Sequence, residues 1–119
     1  MNYKLAKQLK DAGFPQNRHN HFYPVGYGVI HSPIHYDDIP MEARIVVPTL
    51  SQLINACKKD LESIMTIVHY RHYSDDKIVR FEAIGIKKGE KKAGVNAIIN
   101  EREGGMKEVI ALLYLKLNK

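Results

Sequence analysis

Apolar residues recur at the spacing of an α-helix in three parts of the chain. The predicted helices are residues 3–12, 50–59 and 106–117. Gly13-Phe14-Pro15 ends the first helix, because glycine adopts the left-handed cap conformation and proline cannot continue the helix. Thr49 and Gln52 have the spacing of a capping box at the start of the second helix. Cys57 falls on the apolar spacing of that helix, so we expect a small core residue rather than a nucleophile.

Between the second and third helices, alternating patterns predict strands. The segments are residues 63–73, 78–87 and 95–99. A polar reversal at Ser74–Lys77 joins the first two strands, and we expect the Phe81 face of the second strand to be buried. We therefore predict one α+β domain over residues 1–119. It contains an antiparallel three- to four-stranded sheet, a β-meander, with about three helices packed on one face.

Residues 16–48 carry little regular pattern. Four prolines and two glycines exclude a long helix there. Phe22-Tyr23 and residues 27–30 are predicted as strand fragments, and residues 44–47 as a short strand. A long irregular segment of this kind is typical of functional or poorly ordered regions.

The net charge of +5, from 18 basic and 13 acidic residues, is unevenly distributed. The stretch 87–92 alone holds four lysines, and such a loop attracts phosphate or acidic protein surfaces, although a solvated turn is the simpler interpretation. No apolar run is long enough for a membrane span, and the N-terminal residues lack a secretory pattern, so we expect a cytoplasmic protein. The single cysteine excludes an internal disulfide.

Histidine is the first candidate source of chemistry. His19 and His21 would point to one face of an extended segment, as in many metal sites, and His35 lies near Asp37 and Asp38. These residues predict a metal-dependent hydrolase as one alternative, with His19, His21 and His35 as its candidate catalytic residues. Because no established catalytic motif accompanies the histidines, a polar surface loop is the competing interpretation. No metal or cofactor is predicted.

Tyrosine and cationic side chains are the second candidate source. Tyrosine and arginine are common anchors of protein interfaces, and lysine binds phosphates, but tyrosine is also common in half-buried strands. The candidate binding residues are Tyr23, Tyr27, Tyr36, Arg71, Tyr73, Lys87, Lys88, Lys91 and Lys92.

Three stretches of the chain resemble a group of small phage, prophage and metagenomic proteins. Residues 4–16 read KLAKQLKDAGFPQ as in that group, residues 47–57 are similar to its PTLSELIEAC segment, and residues 107–119 are similar to EEAVANLWLALNK. The matching positions are helix caps and helix core, so the resemblance implies a shared fold and no particular site. Here Gly104-Gly105-Met106 replaces the group's Ser-Thr-Pro, which predicts a last helix without a side-chain cap.

We accordingly predict a small phage-type accessory protein that binds another macromolecule without catalysis. The expected partner is a protein, such as a host factor or a component of a defence system. The first alternative is a nucleic-acid or nucleotide-binding protein that uses the basic 87–92 loop together with tyrosine and arginine residues, Arg71 among them. The second is the histidine-based hydrolase. The apolar last helix is also compatible with a homodimer, and no membrane partner is predicted.

Overall fold

In the computed structural model, residues 1–26, 28–33, 37–71, 74–90 and 94–118 are described, and the chain divides into two units, Met1–Thr49 and Leu50–Lys119. The first unit contains α1 (Tyr3–Asp11), β1 (Phe22–Pro24) and β2 (Arg44–Val46). The second contains α2 (Leu50–Cys57), β3 (Leu61–Arg71), β4 (Ser74–Lys87), β5 (Val95–Asn100) and α3 (Met106–Leu117). The α+β fold class is therefore confirmed, whereas a single domain over the whole chain stays a prediction. No helix among the described residues is long and apolar enough to cross a membrane.

Helix α1 begins and ends as its sequence predicts. Asn2 Oδ1 accepts a hydrogen bond from the Leu5 N–H at 2.8 Å and so caps the first turn. Gly13 has a φ of 88°, and the N–H of Phe14 returns to the Leu9 carbonyl at 2.9 Å. Phe14 is buried against this last turn. The helix therefore ends where glycine permits the left-handed conformation.

The first unit is built on a two-stranded antiparallel sheet next to α1. Tyr23 of β1 pairs with Ile45 of β2, and these two residues form a core with Ala6 of α1 and with Val47. The strand predicted at residues 27–30 is wrong for residues 28–30, which lie in irregular structure, while Tyr27 lies outside the described residues. Gly26 and Gly28 have φ angles of 86° and 67°, so the backbone turns at a place where a strand would need extension.

The second unit contains an antiparallel meander with the order β3-β4-β5. Helix α3 packs on β4 and β5 and also contacts α2. Ala83 and Gly85 of β4 are buried and Phe81 is half-buried, which confirms that the Phe81 face is the inner one. The outer face keeps apolar side chains in solvent, including Met65 at 56% and Ile98 at 49% exposure.

Two details of the second unit differ from the sequence-based predictions. Ser74–Lys77 belongs to β4 instead of forming the reversal, and Ser74 pairs with Arg71. Residues 72–73, between the two strands, lie outside the described residues. Polar side chains did not exclude a strand, because the ladder bonds come from the backbone. At the start of α3, the Gly105 N–H donates to Glu108 Oε1 at 2.9 Å, so a side chain does cap this helix end.

Candidate functional site

A groove of about 910 Å³ lies in the second unit, where α2 and α3 begin and β3 starts. We call it the apolar groove. Its apolar lining residues are Leu50, Ile54, Leu61, Ile64, Met106 and Ile110. Its polar lining residues are Lys58, Glu62, Ser63, Thr66, Lys88 and Gly89. A concave, largely apolar surface with a few polar groups is the usual form of a binding site.

The floor of the apolar groove depends on a close approach between two strands. Leu61 is 2% exposed and lies over Gly85, where an added Cβ would come within 2.7 Å of Leu61 Cδ1. The glycine therefore leaves the space that the leucine side chain occupies. This contact fixes the floor of the groove at the start of β3.

The basic turn after β4 is held against the same end of the sheet. The Lys88 N–H donates to the Asp60 carbonyl at 3.3 Å, and Gly89 has a φ of 83°, which allows the sharp turn. Lys88 thereby lines the groove, as does Lys58 of the turn that follows α2. Both lysines are exposed, and Glu62 is the one carboxylate among the described lining residues. The charged groups at the groove thus favour an anionic group on whatever binds there.

Cys57 is a core residue of α2, as predicted. It is fully buried, and its Sγ donates to the carbonyl of Ile110 at 4.0 Å. Burial, with a smaller contribution from the Asp60 carboxylate, raises the pKa of the Cys57 thiol to about 11. Burial also raises the pKa of the nearby Tyr114 hydroxyl. At neutral pH the thiol is therefore protonated and shielded, which does not suit a nucleophile.

Of the predicted binding residues, Tyr23 is buried in the structure, whereas Arg71, Lys87 and Lys88 are exposed. Tyr23 is 7% exposed, packs edge-on against Tyr3 and donates its hydroxyl to the Met1 carbonyl. The anchor role predicted for Tyr23 is therefore corrected to a core role. Arg71 and Lys87 are exposed at strand ends, and Lys88 lines the apolar groove. The predicted residues Tyr27, Tyr36, Tyr73, Lys91 and Lys92 lie outside the described residues.

His19 and His21 meet in a second cavity, of about 650 Å³, in the first unit. We call it the histidine cleft, and its described lining residues are Arg18, His19, His21, Ser32, Pro33, Asp37 and Arg44. The structure thus places two of the predicted histidines beside Asp37, while His35 lies outside the described residues. Asp38 is exposed and does not line the cleft. Within the described part of the chain, no three histidine, cysteine or carboxylate side chains are placed to hold a metal ion.

A further pair of titratable residues lies on the outer face of the meander. His69 Nε2 and Glu82 Oε1 are 3.1 Å apart, and Asn96 Nδ2 donates to Glu82 Oε2 at 3.4 Å. The hydrogen bond with His69 lowers the pKa of the Glu82 carboxyl. The pair lies among apolar side chains of the three strands, where it supports cross-strand pairing.

Sequence reasoning missed the apolar groove. Leu50, Ile54 and Met106 fit the apolar spacing of helices, and that spacing does not distinguish a covered position from one that lines a groove. In the structure Leu50 is 38% exposed, and Ile54 and Met106 are half-buried. The Arg44 wall of the histidine cleft was also missed, because nothing in the local sequence separates it from an ordinary strand residue.

The chain was also compared with known proteins. No protein-family model matches it, and neither do curated protein sequences or solved structures.

Proposed function

We propose that this chain is a binding protein without catalytic activity, and that its apolar groove receives an amphipathic, acidic helical segment of a partner protein. The observation that carries the proposal is the groove of about 910 Å³, with an apolar floor and two lysines among its polar residues. Its role as a phage-type accessory protein, with a host factor or defence-system component as partner, rests on the sequence resemblance.

The shape and chemistry of the groove favour a helix as its occupant. Helical ligands place apolar anchors three and four residues apart into grooves of this kind. The volume lies at the upper end of the range of small-molecule sites, so it has room for several side chains. Leu50, Ile54 and Met106 would contact those anchors.

Charge selects among helical ligands. Lys58 and Lys88 lie among the lining residues with a single described carboxylate, Glu62, so acidic flanks are preferred over basic ones. The net charge of +5 adds a long-range attraction for acidic partners. Because both lysines are exposed, salt should weaken the attraction.

The proposal can be tested by measuring peptide binding by fluorescence anisotropy. One labelled amphipathic helical peptide contains leucine and glutamate (the acidic peptide), and the other contains leucine and lysine (the basic peptide). We expect the acidic peptide to bind and the basic peptide to bind much more weakly. Leu50→Glu should weaken binding of the acidic peptide by about tenfold or more, because a carboxylate would be placed against the apolar floor. Ile78→Glu is the matched control, since Ile78 is also 38% exposed but lies outside the groove.

Two results would contradict the proposal. In the first, Ile78→Glu weakens binding as much as Leu50→Glu, which would indicate general adhesion to apolar surface. In the second, neither peptide binds at low salt. A labelled oligonucleotide in the same assay tests the nucleic-acid alternative. That alternative uses Arg71 and the four lysines of residues 87–92, and it requires an affinity that falls steeply with salt.

A further inference from the structure

The histidine cleft of the first unit is lined by a strongly held arginine. Arg44 is 5% exposed, its Nε donates to the Ile39 carbonyl at 2.8 Å, and its Nη1 donates to the Arg18 carbonyl at 3.5 Å. Its Cζ also lies 4.3 Å from the centre of the Phe22 ring, a cation–π contact. The positive charge of Arg44 is therefore fixed in position at the wall of the cleft.

The backbone that carries the two histidines is fixed as well. Asn17 Oδ1 accepts a hydrogen bond from the His19 N–H at 2.8 Å, and the Asn20 N–H donates to the Asn17 carbonyl at 3.2 Å. The His21 carbonyl accepts from the Val47 N–H at 2.8 Å, which ties this turn to the end of β2. The side chains of His19 and His21 are thus presented from an ordered turn, and both are exposed.

The charges of the cleft select an anion over a metal ion. Two guanidinium groups, of Arg18 and Arg44, line it together with His19 and His21, and Asp37 is the one carboxylate among its described lining residues. Two positive charges, of which that of Arg44 is fixed in position, oppose the entry of a divalent cation. Guanidinium groups match the geometry of phosphate oxygens, and imidazole nitrogens can donate to the same oxygens.

From this arrangement we infer that the histidine cleft binds the phosphate group of a small organic phosphate. Arg18, His19 and His21 donate to the phosphate oxygens, and the charge of Arg44 lies behind them. A volume of about 650 Å³ exceeds what inorganic phosphate needs, so an organic group fills the remainder. This site is separate from the apolar groove and does not depend on the function proposed for that groove.

A titration of the full chain, observed by two-dimensional NMR of its backbone amides, tests the inference with phenyl phosphate and inorganic phosphate as probes. Phenyl phosphate should shift the His19 and His21 signals in a saturable way and bind more tightly than inorganic phosphate. Arg18→Ala should weaken binding by about tenfold, the usual effect of losing a charge-assisted hydrogen bond. Arg102→Ala is the matched control, because the Arg102 side chain is 91% exposed and lies in the other unit.

His21→Ala provides a second variant, and it should weaken phenyl phosphate binding. Ile78→Glu should leave that binding unchanged, because Ile78 lines neither cavity. The inference is overturned if the shifts do not saturate, or if Arg102→Ala weakens binding as much as Arg18→Ala. It is also overturned if inorganic phosphate binds as tightly as phenyl phosphate. Saturable binding of Zn²⁺ or Mn²⁺ at His19 and His21, without phosphate binding, would establish the metal site instead.

Discussion

Replacing Gly85 with alanine should destabilise the second unit by about 1–3 kcal/mol, the usual cost of overpacking a core. The new Cβ would lie 2.7 Å from Leu61 Cδ1 and 2.9 Å from Leu61 Cδ2, both too short for carbon atoms. Leu61 is 2% exposed, so its side chain would have to leave its packed position to relieve the clash. Gly85 pairs with Ile64 and Val95, so a shift of its backbone would disturb both neighbouring strands.

The cause can be isolated by a double-mutant cycle. Leu61→Ala alone should cost about 2–5 kcal/mol, because it removes a buried leucine and leaves a cavity. In that background the clash is gone, so Gly85→Ala should cost little, and the restriction of the unfolded chain would even contribute up to about 1 kcal/mol of stability. The coupling energy between the two sites should therefore be about 1–3 kcal/mol.

Urea unfolding followed by far-UV circular dichroism measures these differences in the free energy of unfolding. Gly105→Ala is the matched control, because a Cβ there meets nothing closer than Glu108 Oε1 at 3.9 Å and its φ is −119°. It should cost about 0.5 kcal/mol, a small loss at a helix N-cap. Equal costs of Gly85→Ala in the wild-type and Leu61→Ala backgrounds would refute the reasoning, since the clash with Leu61 would then not be the cause.

Cys57 should resist a thiol reagent in the folded protein at pH 8 and react after unfolding. The pKa of its thiol is about 11 in the folded protein and 9.0 in the unfolded chain. The stability that this difference contributes is therefore present below pH 9 and lost as the pH rises towards 11. Urea unfolding should show this alkaline loss, on the order of 2 kcal/mol, in the wild type and a smaller loss in Cys57→Ala, where the Tyr114 hydroxyl keeps a raised pKa. Asn2→Ala should lower the free energy of unfolding by about 1 kcal/mol through loss of the cap on the Leu5 N–H, whereas Asn2→Asp should retain most of it. In an NMR titration, His69→Ala should bring the pKa of the Glu82 carboxyl back up towards its ordinary value. The stability that the His69–Glu82 pair contributes should be present above the ordinary carboxyl pKa, and it should be lost as the pH falls through the lowered pKa of Glu82.

Each of these three expectations has a clear contrary result. Rapid reaction of Cys57 in the folded protein would show that the thiol is not shielded. Equal stability of wild type and Asn2→Ala would mean that the first turn does not need its side-chain cap. An unchanged Glu82 titration in His69→Ala would remove the hydrogen bond as the cause of the lowered pKa.

The three helices and the meander could be predicted because local signals there agree with the packing. Apolar periodicity, Gly13 at the end of α1 and alternation along β4 each act within a few residues. The predicted bounds of α3 match the structure, and α1 and α2 each end within two residues of the predicted position. Local patterns were insufficient at residues 28–30, where glycines with positive φ interrupt an otherwise strand-like composition.

The candidate sites could be predicted only in part. His19 and His21 were singled out by their spacing, but part of the charge that favours an anion comes from Arg44, which is 23 residues or more away in the chain. Tyr23 is of a residue type that is common at interfaces, but it pairs with Ile45 and packs in a core with Ala6 of α1, which buries it. Such long-range neighbours cannot be read from one segment.

By itself the sequence determined the helices, the antiparallel meander, the core position of Cys57 and the positions of its basic residues, because periodicity and capping act locally. Only the tertiary structure decided which apolar residues stay uncovered and which charges share a cavity. Leu50 and Leu61 are both apolar, but the approach of β3 to Gly85 buries Leu61, whereas Leu50 stays partly exposed at the groove. The exposure of a side chain and the charge around it depend on neighbours that are distant in the chain, and those neighbours come together only when the strands and helices pack.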